Sequence, residues 1–565
     1  MKKYNLNFKS IISLIIILFS ASSCFDDLNV TPINPQVTQT FNQDQVFAKV
    51  YAAFSLTGQQ GPAGNGDIEG LDEGRFSLIR CLWNCSELST DEGICSWGDA
   101  EVIDLNKNTW SASNQALDGL YSRLYFIVTI SNHFLEQTTD KTDEVTVKQR
   151  AEVRFLRALA YYILMDNFGN VPFTDKISSE APVQMQRKNL FSWIESELKT
   201  CEPDMYEPRQ APYYRVDKVA NWLLLSRLYL NGEVFTSIPA SADGTIAAVP
   251  GNTYWNEAAI YSKKVIDSNY ELNPVFRQLF MGDNAGVIDG STKNTAPQEI
   301  IFAFPSDGIK TQTWGSAMFL VASTHVSGMP GWGTTEGWGG NRLRSSVVRA
   351  FYPGTIRASD KKDLSTGIGS LKDDRALIYG DADRTLNITT IGKFKEGYSC
   401  IKFTNVRADS AANHDPKFVD MDIPFMRKAE AYLNYAEAVL RGASEIDGLT
   451  ALQAVSILRA RSHAKVLTTL TPAAGTTPQE ISYINSFQPT ELKTILDERM
   501  REFFFEGYRR ADLIRFNKFG GETTYNWEWK GGEQTGANFS SDFNLFPLPA
   551  NDLNANSNLK QNPGY

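Results

Sequence analysis

The chain has 565 residues and a formal net charge of −10, is 42% hydrophobic, and contains only four histidines and six cysteines. A chain this acidic, with no basic stripe, excludes nucleic acid as a partner and argues against adsorption to anionic lipid. Cysteines this sparse exclude a disulfide framework, and no HExxH, GxSxG, P-loop or dinucleotide fingerprint gives the common enzyme chemistries a carrier.

The first 23 residues read as a leader. Lys2, Lys3 and Lys9 make a positive start, Ile11 to Phe19 is almost continuously apolar, and Ser20, Ala21, Ser22 and Ser23 supply the small residues that precede a cleavage site. The apolar run is far shorter than the roughly 20 residues needed to span a bilayer. A cysteine directly after small residues is the diacylglycerol acceptor of bacterial lipoproteins, so Cys24 is expected to carry lipid; the plain alternative is a signal peptide that happens to end beside a cysteine. Residues 24–40, broken by Pro32 and Pro35, read as a flexible tether. Residues 41–565 show no linker or charge run that divides them and are expected to form one body.

Along that body the strongest periodic signals are helical. Residues 148–168 place Val153, Leu156, Ala160 and Ile163 on one buried face and stop at Gly169 before Pro172. Residues 216–231 repeat the pattern with Gly232 as the stop, followed by 253–268 and by 427–441, where Ala429, Leu433, Ala436 and Leu440 form a stripe. Small residues alternating with Tyr or Leu in successive hairpins predict a mainly α scaffold of tetratricopeptide-like units, although no strict 34-residue period is present. From about 275 to 425, Gly, Thr, Asn and Asp rise and helical periodicity fades. Glu299 to Phe304 reads there as an isolated strand. A long irregular region on a helical scaffold is where function is expected.

Aromatic residues make up 12% of the chain, with 11 tryptophans, more than a core of this size needs. Trp97 (ICSWGDAEV), Trp314 (TQTWGSA) and Trp338 (TEGWGGN) sit beside glycines, which suggests loops; Trp332 (PGWGTT) is a possible fourth. A single tryptophan is a core residue by default. Arg80 follows an apolar triplet and reads as a buried ion-pair partner for Asp72, as a rim group for sugar hydroxyls, or as both. The carboxylate pairs Asp72-Glu73 and Asp91-Glu92 do not suit glycosidase chemistry, because adjacent side chains point in different directions. Cys81, Cys85 and Cys95 match no zinc spacing and read as apolar fillers, one pair of which could be oxidised. In 495–516 (ILDERMREFFFEGYRRADLIRF) the charges read as a solvated or salt-bridged helix face and Phe503, Phe504 and Phe505 as core. Residues 281–294 are oxygen-rich but lack the EF-hand spacing, so no cofactor is expected and a structural Ca²⁺ is the only metal that stretch admits.

Several blocks together resemble the SusD/RagB family of outer-membrane glycan-binding lipoproteins, end to end. They are the start Cys24-Phe25-Asp26-Asp27-Leu28-Asn29, AEVRFLRALAYYILMDNFGNVPF (151–173), RKAEAYLNYAEAVLR (427–441), residues 495–516 and FPLPANDLNANSNLKQNPGY (546–565). Loop segments EGLDEG (69–74), NCSELSTDE (84–92), CEPDMYEPRQAP (201–212) and VSGMPGWGTTEGW (326–338) are similar to those of the family's starch-binding founder. The resemblance implies a binder of starch or maltooligosaccharide, without hydrolysis. It would be anchored by lipid in the outer leaflet and pass glycan to a SusC-like TonB-dependent transporter. It also implies stacking platforms at Trp97, Trp314 and Trp338 and polar contacts at Asp72 and Arg80; three platforms carried over together outweigh the default core reading. Two departures, Cys95 in place of a tryptophan and Ala100 near a sugar-contacting asparagine, leave a related binder of another glycan or a peptide as the alternative.

Overall fold

The computed structural model describes residues 41–238, 248–286, 293–354, 373–381 and 383–565. Cys24, the leader and the tether lie outside the described residues. Residues Phe47–Tyr565 form one compact unit, which carries the core.

The scaffold is a run of helical hairpins. Helices α1 (Gln115–Gln137) and α2 (Glu144–Phe168) pack antiparallel, and α3 (Arg187–Cys201) packs on α2. Helices α4 (Lys218–Leu230) and α5 (Trp255–Ile266) form the next pair, and α6 (Ala429–Leu440) and α7 (Ala451–Arg461) a third, with α8 (Glu491–Phe503) against α6. Their starts are chemically marked. Asn114, Asp143 and Asp217 accept backbone N–H groups of the first turn, and Thr450 and Gln453 form a reciprocal capping box, each device contributing about 1 kcal/mol. The predicted face of α2 is inside: Val153, Leu156, Ala160 and Ile163 are all buried. So are Ala429, Leu433 and Ala436 of α6, while Leu440 is half-buried. Helix α5 buries the small side chains Ala258, Ala259 and Ser262 and packs on both α4 and α6, the Ser262 hydroxyl lying 2.7 Å from that of Ser226 in α4.

Because α5 packs directly on α6, residues 267–428 are an insertion in the helical stack. The expected strand is present as β2 (Ile300–Phe304), after β1 (Gly93–Cys95), but it is not isolated. It pairs antiparallel with β4 (Ile423–Arg427), Phe304 opposite Ile423 and Ile300 opposite Arg427, with bulges between. This ladder clamps the two ends of the insertion together. β3 (Asn341–Leu343) pairs with β1, Cys95 opposite Asn341, and ties the insertion to the N-terminal part of the chain. Two short helices, Ser316–Ala322 and Ser345–Phe351, also lie within the insertion.

Other expectations need correction. The helix of 216–231 stops where expected, at Leu230 with Asn231 as its cap, but Gly232 is then the first residue of a short helix, Gly232–Thr236. Of the two readings of the charges of 495–516, solvated or salt-bridged, the structure shows the second. Helix α8 breaks after Phe503, Phe505 and Gly507 take positive φ, and the chain resumes as Arg509–Arg515. The Glu502 carboxylate is fully buried and is shared by Arg427 (2.6 Å), Arg461 and Arg375 (3.1 Å). Arg427 also reaches Glu299 (3.1 Å) and Glu506 (2.8 Å), so the network joins β4, α7, α8 and the insertion. Phe503, Phe504 and Phe505 are core, as expected. Cys81, Cys85, Cys95, Cys201 and Cys400 are free and buried, with no pair oxidised. Residues 287–292 of the oxygen-rich stretch lie outside the described residues. Within the rest of it Asp283 is buried and accepts from Asn294 (2.9 Å) and from the Ala408 N–H (2.9 Å). Among the described residues no cluster of three His, Cys, Asp or Glu could hold a metal, and no helix is long and apolar enough to cross a membrane.

Candidate functional site

The glycine-flanked tryptophans and their polar partners come from four segments that the fold draws together. Ser77 caps the helix Leu78–Trp83 by accepting the Arg80 N–H, which fixes the direction in which Arg80 leaves the turn. The Arg80 guanidinium lies over the rings of Trp97 (5.1 Å) and Phe319 (5.0 Å), whose centroids are 6.3 Å apart edge to face. Among the described residues it makes no ion pair, and its only protein hydrogen bond is a long one to the Gly74 carbonyl (3.5 Å). The expected Arg80–Asp72 pair therefore does not form. Asp72 is exposed and accepts with one oxygen the N–H groups of Gly74 (3.1 Å) and Arg75 (2.8 Å), and among the described residues its second oxygen has no protein hydrogen bond. Burial lowers the pKa of Arg80 from the ordinary arginine value, and the charge of nearby Asp99 does not make up for the lost solvent.

Asp72, Arg80 and Trp314 line one open cleft of about 410 Å³, together with Gly64 and Arg75. Arg75 is held back by paired bonds to Glu101 (2.8 Å each). Trp314 is positioned by its backbone N–H, which donates to Glu73 (3.3 Å), and by Gly74, whose missing Cβ leaves room for the Trp314 Cβ and backbone. Its ring centroid lies 6.0 Å from that of Trp338, the two planes inclined at 51°. Trp338 Nε1 donates to Glu336 (3.0 Å) and its backbone N–H to the Ala322 carbonyl (2.8 Å). Trp97, Trp314 and Trp338 are each half-buried. Platforms set at an angle, with a guanidinium and a carboxylate oxygen free at the rim, suit a curved ligand that offers apolar faces and hydroxyls.

Some expected contributors do not take part. Cys95 is buried in β1, its backbone bonded to Asn106 (3.0 and 2.7 Å), so its sulfur does not alter the binding surface. Trp332 is stacked on His325 (5.3 Å) and its Nε1 donates to the Glu336 carbonyl (2.6 Å), so it braces the 325–340 loop. Segment 84–92 is not a ligand loop: it is buried almost throughout. There Asp91 takes two bonds of 2.7 Å from Arg509, and Glu92 accepts the Phe505 N–H (3.2 Å). Ala100 is exposed at the start of the helix Ala100–Lys107.

Sequence reasoning missed Glu336, Lys417, Phe418 and Phe394. Lys417 lies over Trp314 (4.4 Å), Phe418 packs on it (4.9 Å), and Phe394 is exposed beside Gly339. Glu336, two residues before Trp338, was open to notice. The other three arrive from distant loops and carry no local signal.

Gly340 is a sharp test of the arrangement. Its φ is +99°, and an added Cβ would stand 2.3 Å from Trp97 Nε1. Gly340→Ala is expected to push the Trp97 indole aside and to weaken glycan retention in affinity electrophoresis, with an unchanged far-UV circular dichroism spectrum.

A stack of helical hairpins bearing a loop-built aromatic cleft is the class that fold and site define. Two family descriptions match: "SusD family" over residues 374–565 and "Starch-binding associating with outer membrane" over 83–230. The chain is 37% identical to the starch-binding protein SusD of Bacteroides thetaiotaomicron over 98% of both chains. It is 24% identical to SusD-like protein P2 of Formosa agariphila over all of both. Among solved structures, the fold is shared with a SusD-like protein of Bacteroides fragilis (21% identity, 95% and 100% of the chains, TM-score 0.64). It is also shared with surface glycan-binding protein A of Bacteroides thetaiotaomicron bound to laminarihexaose (17% identity, 92% and 98%, TM-score 0.63). The chain belongs to the SusD family, and within it is similar to SusD itself.

Proposed function

We propose that this protein captures α-glucan, as starch or maltooligosaccharide, at the cell surface and passes it without cleavage to a SusC-like TonB-dependent transporter in the outer membrane. The observation that carries the reading is the convergence of Trp97, Trp314, Trp338, Arg80 and Asp72 on one open face, two of the indoles inclined at 51° and the arginine unpaired. The similarity to SusD over nearly the whole chain supports starch as the ligand. Binding without hydrolysis is supported by the carboxylates: Glu73 is buried and accepts from Thr57 (3.1 Å), and Asp91 is neutralised by Arg509. Asp72 is then left without a second carboxylate from either pair. Lipid on Cys24 would hold the protein in the outer leaflet, since acyl chains contribute about 0.8 kcal/mol per buried methylene.

Affinity electrophoresis against starch, pullulan, inulin and pectin tests the ligand. Retardation by starch and pullulan alone is expected; retardation only by inulin or pectin would replace α-glucan with that polymer. Surface labelling of intact cells should find the wild-type protein and lose a Cys24→Ala variant.

A further inference from the structure

Lys417 belongs to neither the stacking set nor the polar rim, yet its ammonium lies over one of the stacking rings, Trp314. Its backbone is braced: the Lys417 and Phe418 N–H groups donate to Asp415 (2.7 and 2.9 Å), and the Thr335 N–H donates to the Pro416 carbonyl (2.9 Å). From this fixed turn the side chain reaches over the Trp314 ring, Nζ lying 4.4 Å from the centroid and 3.4 Å from Glu336 Oε1. The second oxygen of the same carboxylate accepts Trp338 Nε1 (3.0 Å). Glu336 thus orients one platform and anchors the ammonium that covers another.

Stacked layers of heavy atoms lie about 3.5–4 Å apart. A sugar ring on that face of Trp314 and an ammonium 4.4 Å above the ring centre therefore claim the same space. The ion pair that holds Lys417 is exposed, at 43% for the lysine and 26% for Glu336, and such pairs hold weakly. Phe418 also packs on the indole, at 4.9 Å, but is buried, whereas the exposed lysine is free to move aside.

We propose that Lys417 is a displaceable cap on Trp314, a specificity element that glycan must move aside before it can stack there. The proposal rests on the glycan-binding reading of this cleft. With the cap in place, a ligand that touches Trp314 alone gains little, whereas a longer segment that also engages Trp338 offsets the displacement. Releasing a cation–π contact at an exposed site corresponds to about a two- to fivefold change in affinity.

Calorimetric titration with maltoheptaose of the full-length protein and its Lys417→Ala, Trp314→Ala and doubly substituted variants tests the proposal. Lys417→Ala is expected to bind two- to fivefold tighter, and the same change on the Trp314→Ala background to have no effect. Weaker or unchanged binding by Lys417→Ala overturns it, as does an equal gain without Trp314. A second measurement needs no ligand: in protein labelled with 5-fluorotryptophan, the Trp314 fluorine resonance, assigned with Trp314→Phe, should shift on Lys417→Ala. An unmoved resonance rejects the cap. If no variant binds maltoheptaose, the α-glucan reading falls, and the fluorine shift still decides whether the cap exists.

Discussion

Replacing Trp97 and Trp338 together with alanine is expected to abolish retardation by starch while leaving the protein folded. Each indole offers a flat face, and stacking of this kind contributes about 1.5 kcal/mol beyond area burial. Losing two such faces amounts to roughly 3 kcal/mol, about a hundredfold in affinity for a single glucan segment. Retention on a polymer depends on avidity among weak shallow sites, so the loss should be complete in a gel. The fold should survive because both rings are half-buried and neither belongs to the helical scaffold. Trp97 meets Phe319, Arg80 and Gly340, and Trp338 meets Trp314, which are contacts of the cleft. Affinity electrophoresis beside a thermal melt separates the two readouts. Full retention of the double variant on starch would remove the platform assignment.

The second large effect concerns stability. Burial alone would raise the pKa of Glu502, but the charges of Arg461, Arg427 and Arg375 outweigh burial and hold its carboxyl far below the ordinary carboxylate range. Glu437 and Glu498, also buried among arginines, are held down to about 2. Glu502→Ala leaves three buried guanidiniums short of an anion, a change that costs about 3–5 kcal/mol. A substantial fall in the thermal midpoint is expected by calorimetry, with less effect from Lys395→Ala, whose ion pair with Asp383 is exposed. The pH dependence has a definite sign. These carboxyls have lowered folded pKa values, so their stabilising contribution is fully present above the ordinary glutamate value of about 4.3. It is lost as pH falls toward about 2. Wild-type protein should therefore lose stability between those limits, and Glu502→Gln should show a shallower slope there. An equal slope would place the acid sensitivity elsewhere.

The two tests address the two halves of one design. In 495–516 a run of alternating charges is ordinarily a solvated face, and the sequence left that reading open beside salt bridging. The matching partners are far away along the chain: Arg461, Arg427 and Arg375 lie 41, 75 and 127 residues before Glu502 and Glu299 farther still, and no local pattern announces them. The network gathers β4, α7 and α8 where the insertion rejoins the stack, so the element that looked most polar is among the most buried.

What the sequence determined by itself was local and periodic. The buried stripes of α2 and α6, the stop at Gly169, the tryptophans set among glycines and the change of composition near residue 275 follow from side-chain spacing and backbone freedom, which neighbours in the chain are enough to express. Tertiary structure alone decided everything that depends on distant segments meeting. It paired β2 with β4, buried segment 84–92 and Cys95, and moved Trp332 from platform to brace. It separated Arg80 from Asp72 and stacked Arg80 on Trp97, and it brought Lys417 over Trp314. The physical reason is the same in each case: a hydrogen bond, an ion pair or a stacked ring is set by distance in space, and in loops of this length distance along the chain carries little information about it.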